Sequence, residues 1–126
     1  MSVTILDSAI APQAGAASGA AQSNAASLPA TANRTQYLEG FDITGGGATA
    51  ASVIEVSVTG LAAGTLKYEL NILAGVTGPM NAQGGFSVRF PQPLPASGVN
   101  TAITVTVPSF GAGNTNAAVV CYGFMK

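Results

Sequence analysis

Histidine and tryptophan are missing from this chain of 126 residues, cysteine occurs once, and only four basic and five acidic side chains carry charge. Each shortage excludes something. Without histidine no side chain has an ordinary pKa near neutrality, so general acid–base chemistry would fall to the carboxylates. Those carboxylates, Asp7, Glu39, Asp42, Glu55 and Glu69, stand singly. Glu39 and Asp42 are three apart, which on a strand places them on opposite faces. The lone Cys121 rules out an internal disulfide framework. It has no histidine partner and lies in an apolar run, so it reads as a buried structural thiol rather than a nucleophile. With no histidine, one cysteine and no acidic cluster, neither a zinc nor a calcium site is expected. The inventory points away from an enzyme and away from any cofactor.

Charged residues make up 7% of the chain and the net charge is −1, against about 25% charged residues in an ordinary soluble domain. The basic residues Arg34, Lys67, Arg89 and Lys126 are scattered, whereas phosphate binding needs them clustered, so nucleic acid is not an expected partner. No apolar run approaches the roughly 20 residues of a membrane-spanning helix. The opening "MSVTILDSAI" lacks a basic n-region, so export by the usual secretory route is not expected. "GAGNTN" (111–116) begins like a dinucleotide fingerprint but lacks the third glycine and a following helix. "GGG" (45–47) lacks the lysine of a phosphate-binding loop. A surface of Ala, Gly, Ser, Thr and Asn with so little charge is easily desolvated, and the expectation is permanent assembly with other protein.

What is present is a change of texture near residue 36. Residues 1–35 hold a short β-prone run, "SVTIL", and then about thirty residues dominated by Ala, Gly, Ser and Asn, with Pro12 and Pro29. Glycines weaken a helix there and no apolar stripe exists to dock one. The segment reads as an extended, mostly irregular N-terminal arm.

From Gln36 onward apolar residues alternate with polar ones between Gly and Pro clusters, the mark of half-buried strands. Six strands are predicted. Residues 36–44 place Tyr37, Phe41 and Ile43 on one face; 52–60 place Ile54, Val56 and Val58 inward. Residues 65–73 turn Leu66, Tyr68, Leu70 and Ile72 inward, 86–90 Phe86, Val88 and Phe90, and 101–107 Ile103, Val105 and Val107. The last, 117–125, is apolar on both faces, as for a strand buried on both sides or lying at a subunit contact. Lys67 and Arg89 are available to pair with Glu55 and Glu69 across strands. Many short alternating strands between turns predict an all-β fold, a small jelly-roll-like β-sandwich over residues 36–126, with an immunoglobulin-like sandwich second because the Cys…Trp…Cys signature is absent. With no disulfide or metal to staple it, so small a body is expected to gain support from oligomerisation.

The stretches "GFDITG", "RFPQPLPAS" and "PSFGAGNTNAAVVCYGF" carry a resemblance over roughly residues 37–124. They resemble small structural proteins of tailed bacteriophages. The resemblance implies a virion structural protein at the capsid surface, made in the host cytoplasm. Its role would be that of a decoration (cement) protein stabilising the head through contacts with the major capsid protein or other virion proteins, as a homo-oligomer with a trimer favoured. The arm, about thirty residues at roughly 3.3 Å each, would cross a neighbour and add Val3, Ile5 and Leu6 as a strand on a partner's sheet. Pro29 belongs to the same expected contact segment. The alternative is a small fibre or tail-associated module that binds a receptor or glycan, for which Phe110, in the loop "PSFGAGN", is the candidate exposed aromatic.

Overall fold

The computed structural model describes residues 10–74, 85–113 and 116–126, and among these the fold is all strand and turn. Eight strands follow in order: β1 (Ala11–Gly19), β2 (Asn24–Leu28), β3 (Gln36–Gly46), β4 (Ser52–Thr59), β5 (Leu66–Ile72), β6 (Phe86–Pro95), β7 (Ile103–Val107) and β8 (Asn116–Met125). They form two four-stranded antiparallel sheets, one in the order β1-β8-β3-β6 and the other β2-β7-β4-β5. Strands β1 to β4 alternate one by one between the sheets, β4 and β5 are neighbours in one sheet, and β8 returns to lie between β1 and β3. This is the double Greek key of a jelly-roll sandwich, and it agrees with the expected fold class.

The six strands predicted after residue 36 are β3 to β8. Their inward rows hold the core: Phe41 and Ile43 from β3, Ile54, Val56 and Val58 from β4, Ile103, Val105 and Val107 from β7, and Val119 and Cys121 from β8 are all buried. Each fully buried aliphatic or aromatic side chain adds about 1.5–3 kcal/mol relative to exposure. Around Phe41 gather Tyr68, Phe86 and Phe90, with ring centroids 5.6, 6.3 and 6.4 Å away. These large rings fill the sandwich where the edge strands β5 and β6 face each other.

The segment 1–35 differs from expectation. Residues 11–28 are extended, as the sequence suggested, but they are paired rather than irregular. β1 runs antiparallel to β8 in unbroken register from Ala11↔Met125 to Gly19↔Ala117, and β2 pairs with β7 from Asn24↔Val107 to Leu28↔Ile103. The division at residue 36 therefore disappears, because both sheets need a strand from before it. Residues 1–9, with Val3, Ile5 and Leu6, lie outside the described residues.

The reason for so many small residues is geometric. A Cβ on Gly15 would lie 2.1 Å from the carbonyl oxygen of Ser27 in the opposite sheet. At this side of the sandwich the two backbones nearly touch, and β1 lies over β2. At residue 15 only glycine leaves room for such an approach. Strand preference is decided here by pairing and packing, not by intrinsic propensity.

A second difference lies in β3. Against β8 its register runs Leu38↔Gly123 and then Gly40↔Tyr122, so Glu39 is an extra residue, a β-bulge. The bulge exchanges the faces of the strand. Gln36 and Leu38 point inward before it, Phe41 and Ile43 after it, and Tyr37 faces outward instead of joining Phe41. Gln36, fully buried, donates from Nε2 to the Pro29 carbonyl at 2.7 Å and ties the connection between β2 and β3 to the core. Pro29 itself is exposed.

Gly15→Ala is expected to destabilise the fold by about 1–3 kcal/mol, the usual range for overpacking. Ala17→Gly, which adds no atoms, serves as the control in denaturant unfolding. An unchanged midpoint for Gly15→Ala would mean that the two sheets are not in contact at this point.

Candidate contact face

The two sheets present very different outer surfaces. Outside the β2-β7-β4-β5 sheet stand Ser27, Thr104, Thr106, Ser57, Thr59, Glu55, Lys67 and Glu69, together with the exposed Val53, placed there by alternation with the buried row. Ser27 Oγ and Thr104 Oγ1 are 2.9 Å apart, and Lys67 Nζ lies 3.5 Å from Glu55 Oε1. Glu69 is directly opposite Glu55. The neighbouring Glu55 carboxylate raises the Glu69 pKa above its ordinary value.

The outer face of β1-β8-β3-β6 is apolar along its middle. Strand β8 supplies Ala118, Val120, Tyr122 and Phe124, alternating with the buried Ala117, Val119 and Cys121. Opposite them β1 places Ser18, Ala16, Ala14 and Pro12. Phe124 stacks on Tyr37 of β3, centroids 4.9 Å apart and planes within 10°, a contact that exists because the bulge turned Tyr37 outward. Lys126 Nζ lies 5.9 Å from the Tyr37 ring centre.

Two charges on this face, Arg89 and Asp42, neutralise each other. Arg89 of β6 lies over the Tyr122 ring at 4.7 Å and donates from Nη1 to Asp42 Oδ1 at 2.9 Å. Ser87 Oγ donates to the same oxygen at 2.7 Å. The Arg89 hydrogen bond, and then that of Ser87, hold the Asp42 carboxyl below its ordinary value of 3.8. The partner of Arg89 is therefore Asp42 and not a glutamate, while Lys67 does pair with Glu55 as expected. Partial burial pushes the Tyr122 phenol up, helped by the Asp42 charge. Its hydroxyl is shielded from water and has no hydrogen-bond partner. The arrangement can hold another protein surface; it offers no proton carrier aimed at a bound molecule.

Two other sites bear on function. Phe110, expected as an exposed loop aromatic, is 3% exposed; the loop folds back so that Ser52 Oγ reaches the Phe110 carbonyl at 3.4 Å. It is core, and the case for a glycan platform built on it falls. Phe110 also helps line a cleft of about 190 Å³ with Ile43, Leu70, Ile72 and Phe86; no titratable side chain lines it. Cys121 is buried, and desolvation pushes its thiol pKa up against weaker backbone hydrogen bonds from Gly15 and its own amide. Among the described residues no group of three or more His, Cys, Asp or Glu side chains is placed to hold a metal ion.

Comparison with known proteins leaves the reading to this geometry. No protein-family model matches the chain, and no curated protein matches it. Among solved structures, the mosquito-larvicidal Cry4Aa toxin from Bacillus thuringiensis aligns with 83% of this chain at 11% identity and a TM-score of 0.33. The chain spans 17% of that protein's length. A likeness this loose carries no argument.

Two outcomes are expected. In native protein the Cys121 thiol should resist a water-soluble disulfide reagent and react fully once denaturant unfolds the chain; fast native labelling would place it outside the core. Asp42→Asn should lower the denaturation midpoint slightly at neutral pH. Asp42 has a lowered folded pKa, so its contribution is present above 3.8 and lost as pH falls through the folded value. The gap between wild type and Asp42→Asn should therefore close in acid; a gap that persists there would assign the effect to packing.

Proposed function

We propose that the protein is a virion structural component, a decoration or cement protein that stabilises a bacteriophage head by protein–protein contacts at the capsid surface. The observation that carries this is the contrast between the two outer faces. One is covered mostly by hydroxyls and charges, with Val53 exposed among them. The other presents a largely neutral, small and aromatic strip from Pro12 to Tyr37, beside which Asp42 and Arg89 are paired. Aromatic anchors surrounded by small residues, with charge kept to the border, suit a protein–protein interface. The resemblance of "GFDITG", "RFPQPLPAS" and "PSFGAGNTNAAVVCYGF" to small phage structural proteins supports a virion setting. The partner on this reading is the major capsid protein, or another virion protein in repeated array.

The face does not need the chain to do chemistry. It needs rigidity, and the position of Tyr122 and Phe124 on β8, a central strand paired on both sides by β1 and β3, supplies that. Anchors fixed before binding lose little conformational entropy on docking.

The test is cosedimentation with phage heads stripped of this chain. Tyr122→Ala and Phe124→Ala should each weaken binding by at least about tenfold, the scale of an interface hot spot. Thr104→Ala and Thr106→Ala, on the opposite face, should leave it unchanged. Binding lost only through Thr104 or Thr106 would move the contact to the other sheet. No binding of the folded wild type to any head would overturn the decoration reading.

A further inference from the structure

A jelly roll has four sheet edges, and three of them here are shielded. β2 lies beneath β1, with its Ser27 carbonyl against Gly15. β5 carries Lys67 and Glu69. β6 carries Arg89 together with Pro91, Pro93 and Pro95, and residues 90–93 depart from its register with β3. Charges, prolines and irregular register are the usual means by which an edge strand is kept from pairing with another chain.

β1 is the exception. It is an edge strand of nine residues with no charge and no register shift against β8. Its single proline, Pro12, stands near its start. Proline is accommodated in an edge strand when its nitrogen faces away from the ladder. Alternation then turns the N–H groups of Ala14, Ala16 and Ser18 to that same free side. The strand is flanked by exposed apolar groups: Ile10, 46% exposed, precedes it, and Val120, 36% exposed, lies opposite Ala16.

We propose that β1 pairs antiparallel with β1 of a second copy of this chain, joining two β1-β8-β3-β6 sheets into one continuous sheet across a two-fold axis. Identical uncharged strands meet without like-charge repulsion, and side chains no larger than those of Pro and Gln let the two backbones approach on either face. A contact of this kind is self-complementary and closes after two chains. It also places two apolar outer faces side by side in one plane. The inference stands whatever that face docks on.

The test is the solution mass of the full chain by light scattering, with three proteins compared. Wild type should give twice the 12.4 kDa chain mass. Ala16→Pro removes a free-side N–H without touching the β8 ladder and should give the monomer mass. Ala16→Lys, which shields the edge as β5 and β6 are shielded, should do the same and covers the case in which the proline variant fails to fold. In the wild-type dimer, hydrogen exchange at Ala14, Ala16 and Ser18 should be at least about tenfold slower than in the lysine variant. A wild-type monomer, a trimer, or a dimer that persists in folded Ala16→Lys would each overturn the proposal.

Discussion

The carbonyl of Ser27 occupies the place where any side chain on residue 15 would stand, and much of the molecule follows from that one contact. Sheets in a sandwich ordinarily lie about 10 Å apart, with interdigitating side chains between them. Along β1 and β2 they come closer, and the space is filled by backbone, alanine and glycine. Along β5 and β6 it is filled by Phe41, Tyr68, Phe86 and Phe90. The sandwich is wedge-like in its filling, and the composition of the chain follows the wedge. Small residues come before residue 30 and aromatic ones after residue 36.

The same contact explains how β8 comes to have two neighbours. With β1 laid over β2, the first sheet extends beyond β8, and a strand that is apolar on both faces becomes central. Its inner row ends in the core, and its outer row becomes the aromatic strip. The bulge at Glu39 completes the strip by bringing Tyr37 beside Phe124. Two local irregularities, a close approach and one extra residue, thus determine which side chains the outer face displays.

These irregularities were also the least legible parts of the sequence. The strands β3 to β8 could be read because large apolar residues alternate with polar ones; in β5, Leu66, Tyr68, Leu70 and Ile72 contrast with Lys67, Glu69 and Asn71. In β1 the inward row Ala11, Gln13, Gly15, Ala17 and the outward row Pro12, Ala14, Ala16, Ser18 are made of the same small residues. Alternation is present in the structure but has no chemical contrast to reveal it. Alternation alone places Tyr37 inward, because a bulge leaves no composition signal and one extra residue reverses the parity. The Gly- and Pro-rich loop around Phe110 predicts an exposed ring, because such loops usually lie at the surface; the chain returns it to the core. The candidate face was half visible, since 117–125 reads as apolar on both sides, but its neighbours Pro12 and Tyr37 could be assigned only once the pairing of β8 was known.

Electrostatics assigns the two faces independently of hydropathy. Glu55 and Glu69 stand directly opposite each other, with Lys67 paired to Glu55. Two like charges in register are tolerable only while water screens them, and covering that face would raise the energy of both carboxylates. Covering the Glu55–Glu69 end of that face therefore has an electrostatic cost. On the other sheet Asp42 and Arg89 already neutralise each other and the guanidinium is spread over Tyr122, so covering that part of the strip does not strand either charge. Among the described residues Glu55 and Glu69 form a like-charge pair on the outer face of β2-β7-β4-β5, and covering the opposite face leaves those two carboxylates in water.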